Sequence, residues 1–320
     1  MKSTGPGSTL RPLGVGEVLD RAVNLCVKNF VPLTLIFLVY GVPLAIVQFY
    51  ASKDSAALLQ AIVAALQSGK GAASSDLTKQ LNAPPGASSI FAVLLIFLAL
   101  FIGPLPAAAM IAAAAAFYLG RSMTFGEAYR VALSRWGHLV VLNIMYGLAG
   151  GFLYLVVVVI ALLLTLAVVF LYAISHVAAI VIGIIVGALS FLFVIAFFLV
   201  GALAFQVSYF GCVVEGQNLS VAFTRGIRRV FFGVGLQRAL LVGLAYVAIL
   251  LGIEFVGSVG AVVLIGFVHS NVAGVAYETV VRVITAAFTT AFIAIFYFDL
   301  RVREEGFDLQ LAAQAARTGP

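Results

Sequence analysis

Residues Leu139 to Ala173 read LVVLNIMYGLAGGFLYLVVVVIALLLTLAVVFLYA, thirty-five positions without an Asp, Glu, Lys or Arg. At 1.5 Å per residue a helix of this length reaches roughly 50 Å, well past the ~30 Å hydrocarbon core of a bilayer. Such a run belongs in lipid, where each unpaired backbone N–H or C=O is costly and a helix pairs them all within one segment. The alternating ten-residue segments of a membrane barrel are absent.

Working outward, five more apolar runs occur, at about Phe30 to Tyr50, Ser89 to Tyr118, Val177 to Phe210, Ala239 to Val268 and Asn271 to Leu300. The whole chain is 63% hydrophobic and 9% charged, against about 25% charged residues in a soluble domain. The expected fold is therefore all-α, a polytopic membrane bundle of six transmembrane helices with short amphipathic helices at the cytoplasmic interface. Residues 1–29 form a cytoplasmic amino-terminal segment, 30–300 the membrane domain with an external loop at 51–88, and 301–320 a cytoplasmic tail. The first run follows Glu17, Asp20, Arg21 and Lys28 and lacks a small-residue cleavage site, so it reads as a retained span rather than a signal peptide.

The net charge of +6 and pI near 9.4 do not point to nucleic acid, because the basic residues sit in short loops beside spans. Fourteen of the 18 Lys and Arg residues fall on one side of this threading and Lys53, Lys70 and Lys79 on the other, with Arg282 inside a span. Basic flanks prefer the cytoplasm, which places both termini inside and the chain in the plasma (inner) membrane. Cys26 and Cys212 then lie on the reducing side, with no disulfide, metal or cofactor expected.

Local features refine the threading. Spans three and four are too long for the core and must tilt, break or protrude; Gly147, Gly150 and Gly151 offer a break, and Gly183 and Gly187 a face for close helix contact. Pro104 and Pro106 should kink span two. The nearly side-chain-free Ala107 to Ala116 after them serves tight packing or, in the alternative, lines a substrate path. In the external loop, Leu58, Leu59, Ile62, Val63 and Leu66 share a helical face, as expected of a helix lying on the outer leaflet.

Three basic-side segments, Gly16 to Val23, Gly126 to Leu133 and Ser220 to Ile227, follow one plan of a short amphipathic stretch before an outward span. This implies three units of interfacial helix plus membrane hairpin, related by an axis along the membrane normal. The competing account is that any basic amphipathic stretch before a span has this appearance.

Ionisable residues within spans mark functional candidates, and there are three: Glu254, Glu278 and Arg282. Counting from Arg238 and Arg301 puts Glu254 and Arg282 at roughly 24 and 28 Å of helical rise, similar depths on antiparallel neighbours. Glu278 precedes Arg282 by four, the favourable order for a pair on one helix. A Glu254–Arg282–Glu278 cluster is expected, either tying spans five and six together or relaying protons or anions.

The run Arg11-Pro12-Leu13-Gly14-Val15-Gly16-Glu17-Val18-Leu19-Asp20-Arg21 and the run Tyr297-Phe298-Asp299-Leu300-Arg301-Val302-Arg303-Glu304-Glu305-Gly306-Phe307-Asp308 resemble the two ends of the glycerophosphoryl diester phosphodiesterase membrane-domain family. That resemblance implies a bacterial or archaeal polytopic domain, in some relatives fused to a phosphodiesterase barrel, with no catalytic role of its own. The barrel's His-Arg-Gly run and Glu-x-Asp pair are missing, and His138, His176 and His269 are scattered. Both ends carry charge, so Arg11, Asp20 and Arg21 are expected to meet Asp299, Arg301, Arg303 and Glu305 in a network closing first span on last; the alternative is that each end faces water and headgroups.

No nucleophile elbow or phosphate loop occurs. The reading that follows is a non-enzymatic membrane domain, a scaffold or subunit linked to lipid or envelope metabolism, with membrane lipids and a protein in the same membrane as partners. The alternative is a small transporter or lipid-handling permease using the Glu/Arg cluster. A dry, closed bundle speaks for the first and a cavity reaching the cluster for the second.

Overall fold

In a computed structural model, residues 11–51, 87–232, 234–268 and 271–306 are described, and among them the only regular secondary structure is helical. The helices are α1 (Val15–Lys28), α2 (Phe30–Ala51), α3 (Ala87–Phe97), α4 (Pro104–Tyr118), α5 (Phe125–Ile174), α6 (His176–Val214), α7 (Leu219–Phe231), α8 (Val234–Val268) and α9 (Asn271–Glu305). Six helical segments are long and apolar enough to cross a membrane, making this an all-α, multi-pass, membrane-embedded bundle. The outer-leaflet helix expected within 51–88 lies outside the described residues.

Helix α9 is the axis. Every residue from Ala291 to Leu300 is buried, because α1, α2, α4, α6 and α8 all pack around it. Large rings fill the space, Tyr297, Phe292 and Phe296 being fully enclosed, while Ala108, Ala109 and Ala112 to Ala116 bring α4 close with small side chains.

Span two is interrupted as its prolines require. Leu98–Ile102 forms a π-helical turn between α3 and α4, and Gly103 N–H donates to Leu98 O at 2.7 Å. Pro104 has no N–H for Leu100 O, and Asn143 of α5 approaches that carbonyl at 3.5 Å while Trp136 Nε1 donates to Phe101 O at 2.7 Å. Neighbouring side chains thus take up backbone acceptors that the break releases.

Two expectations are corrected at span three. Its glycines do not break it: α5 runs 50 residues without interruption, since a break in lipid would strip backbone hydrogen bonds at greater cost than glycine's helix penalty. Nor is Gly126 to Leu133 a separate interfacial helix; it is the first part of α5, capped by Thr124 and Glu127. Between Leu133 and Leu139 nothing terminates the helix, whereas α1 stops at Asn29, whose side chain caps Leu25 O at 3.0 Å. The excess length instead carries the α5–α6 hairpin beyond the bundle. Apart from Ala179, α6 buries residues only from Val200 onward.

The three segments still share a register. Val18 and Ala22, Ala128 and Ala132, and Ala222 and Gly226 occupy matching positions and are all buried. The returning helices α4, α6 and α9 each end at a glycine with positive φ, Gly120, Gly216 and Gly306, the left-handed cap that glycine adopts without penalty.

Candidate functional site

Arg229, Arg238, Arg301 and Arg303 gather at one end of the bundle around two carboxylates, Asp299 fully buried and Glu215 part-buried. Arg11 to Gly14 run non-helically into α1, and Leu13 N–H donates to Asp299 Oδ1 at 2.8 Å. Arg238 of α8 donates to Asp299 Oδ2 at 2.9 Å, and Arg303 Nε lies 3.1 Å from the same oxygen. The two guanidiniums also reach Leu13 O, at 2.6 and 2.7 Å. The Asp299 side chain is 0% exposed, and two cations with one amide satisfy it.

Glu215, just past α6, forms the second centre. Tyr297 O–H and Gln217 Nε2 donate to it, and Arg229 and Arg301 each approach at 3.3 Å. Arg229 also lies 3.6 Å from Glu304 and stacks over the Tyr297 ring. Burial pushes the Glu215 carboxyl up, but the Tyr297 hydrogen bond and the Arg229 and Arg301 charges outweigh it and hold the group below the ordinary carboxylate range.

The two chain ends therefore meet, though through partners different from those expected. The contact is the Leu13 backbone with Asp299 and Arg303. Arg11 pairs with Glu17 of its own segment, Asp20 is exposed, and Arg21 reaches Tyr118 of α4 at 3.5 Å. Arg301 belongs to the Glu215 centre, and the side chain of Glu305 lies outside the described residues. Sequence reasoning missed Arg238, Arg229 and Glu215. Arg229 had a visible signal, for it sits on the apolar stripe formed by Ala222, Gly226 and Val230.

Deeper in the bundle a cavity of about 300 Å³ opens among α2, α4, α6, α8 and α9. Tyr40, Gln206, Glu254, Arg282, Thr285 and Thr290 give it polar groups, and Phe37, Met110, Ile111 and Ile293 apolar ones. Arg282 donates to Glu278 at 2.6 Å and to Gln48 of α2. Glu254 accepts from Thr285 Oγ1 at 3.1 Å. Among the described residues Glu254 and Arg282 make no ion pair with each other; both line the same cavity, where Arg282 links α9 to α2 and Glu254 links α8 to α9.

Among the described residues no group of three His, Cys, Asp or Glu could hold a metal, and Cys26 and Cys212 are buried free thiols. The arrangement places one cation and one carboxylate on a small hollow that hydroxyl groups also line. No protein-family model, no curated protein and no solved structure matches this chain.

Proposed function

We propose that this protein is a small transporter whose permeant site is the cavity holding Glu254 and Arg282. The observation that carries the reading is the cavity itself: intramembrane ions are expensive, and these two converge on open volume instead of neutralising each other. Its size and its pair of opposite charges fit a small zwitterionic or anionic solute, with Arg282 holding the anionic group and Glu254 a cationic one or a transported proton. The charge bias of the loops supports placing both ends in the cytoplasm, the membrane being the inner membrane of a bacterium. The family resemblance of the two ends agrees with work on lipid or envelope precursors. A scaffold role is the second reading, favoured by the α5–α6 hairpin, whose distal half packs on no other helix among the described residues.

Thiol accessibility separates the two. In a background with Cys26→Ala and Cys212→Ala, Thr290→Cys should react with an anionic, water-borne methanethiosulfonate in liposomes. A panel of amino acids and short carboxylates should contain one that protects this thiol and accumulates in an Arg282-dependent manner. An unreactive thiol, together with no accumulation of any panel member, rejects the transporter and leaves the scaffold.

A further inference from the structure

A second hollow lies on the outside of the bundle, away from the Glu254 cavity, where α5, α6 and α7 meet. It encloses about 570 Å³ and is walled by apolar groups, Phe152, Phe197, Phe205, Phe223, Ile227 and Phe231 among them. Its floor is held by Tyr146, whose ring meets Phe205 and Phe223 edge-on at 5.0 Å and whose hydroxyl lies 2.8 Å from Ser208 Oγ. Its depth comes from missing side chains. Gly147, Gly150 and Gly201 line it, and a Cβ added at any of them meets nothing within 4 Å.

Helix α7 supplies the polar border. Phe223, Ile227 and Phe231 face the groove, and one step around the helix Thr224 and Arg228 line an adjoining hollow of about 390 Å³ that shares Ile227 with it. Arg228 and Arg225 are exposed, and among the described residues neither forms an ion pair. The groove is thus an apolar slot that ends beside an uncommitted guanidinium at the basic, interfacial end of the bundle.

We propose that this groove seats one membrane phospholipid, an acyl chain lying in the slot and the phosphate resting on Arg228. Both halves of the ligand are matched: the slot is on the scale of one acyl chain and offers it almost no polar surface, while arginine at the membrane interface attracts anionic headgroups. A free phosphate would use the second half alone and leave the slot unexplained. A docked apolar protein helix would fill the slot alone and leave the guanidinium of Arg228 unmatched, whereas a phospholipid satisfies both.

The test is native mass spectrometry of the full-length protein titrated with phosphatidylglycerol in detergent. A single persistent adduct is expected, undisturbed by inorganic phosphate. Gly150→Leu with Gly201→Leu puts side chains into the slot from positions where an added Cβ meets nothing within 4 Å and should abolish the adduct, whereas Gly187→Leu, equally open at Cβ but outside the groove, should not. Arg228→Gln, at an exposed site and independent of packing, should weaken binding about fivefold. Wild-type adduct levels in Arg228→Gln, or in a folded slot-filled variant, overturn the proposal, as does displacement of the lipid by inorganic phosphate.

Discussion

Asp299, near the end of the last span, accepts the backbone N–H of Leu13 at 2.8 Å across 286 positions of sequence. The contact is made to backbone, so the identity of residue 13 is set by packing (its side chain is 2% exposed) and that of residue 299 by charge. Arg238 and Arg303 bridge from Asp299 to the carbonyl of the same Leu13. Three segments, the amino-terminal run, α8 and α9, are thereby fixed on the backbone of one residue.

Removing the carboxylate should therefore cost more than an exposed ion pair. Asp299→Ala leaves Arg238 and Arg303 facing each other beside an unpaired amide, and loss of one partner of a buried pair costs about 3–5 kcal/mol. Unfolding in mixed micelles by titrated SDS should show that drop. Asp299→Ala combined with Arg238→Leu should lose clearly less than the sum of the two single changes, because both remove one interaction.

Glu215 predicts a pH dependence. Its folded carboxyl titrates below the unfolded one because Tyr297, Arg229 and Arg301 together outweigh the upward push of burial. A depressed acid stabilises above its unfolded pKa of about 4.3 and loses that contribution as pH falls through the folded value. Melting temperature should thus fall on acidification below about pH 5. Glu215→Gln should start lower at neutral pH and show a shallower acid slope; equal slopes in the two proteins would count against the assignment.

The six spans and the gathering of basic residues at one end were legible in sequence because both depend on composition, which local windows report. The interruption at Pro104 was legible as a position, though its π-helical form depends on Trp136 and Asn143 of another helix. Arg238 was visible only as one of many loop charges, since nothing local tells a cation at an interface from one turned onto α9. The continuity of α5 was missed for a similar reason. Glycine lowers helix propensity in water, but lipid removes the competitor that would exploit it. Counting residues puts Glu254 and Arg282 at a common level, and both line one cavity, while their partners Thr285 and Gln48 depend on helix rotation, which counting does not fix.

Gly226 should tolerate no side chain. An added Cβ would stand 1.9 Å from Ser208 Oγ and 3.0 Å from Ala204 O, so Gly226→Ala must push α7 off α6, at about 1–3 kcal/mol. Gly137, exposed and mid-helix with nothing within 4 Å, is the control: Gly137→Ala should stabilise by roughly 0.5–1 kcal/mol through helix propensity alone. Opposite signs in one thermal-shift series would show that close approach, not backbone freedom, selects glycine at 226.

Arg282 should contribute more to stability than Glu254. It joins α9 to α2 through Gln48 and offsets Glu278 one turn away, while Glu254 keeps its own partner in Thr285. Arg282→Met leaves Glu278 ionised or forces it to take a proton, and removes the bridge to α2. Glu254→Gln removes one hydrogen-bonded charge and can keep the Thr285 contact. The loss of stability should therefore be larger for Arg282→Met than for Glu254→Gln. Adding Glu278→Gln to Arg282→Met should recover part of the loss, because removing a pair costs less than orphaning one member of it. If Glu278→Gln instead deepens the defect, Glu278 has a role apart from balancing Arg282, and the cavity's charge must be assigned again.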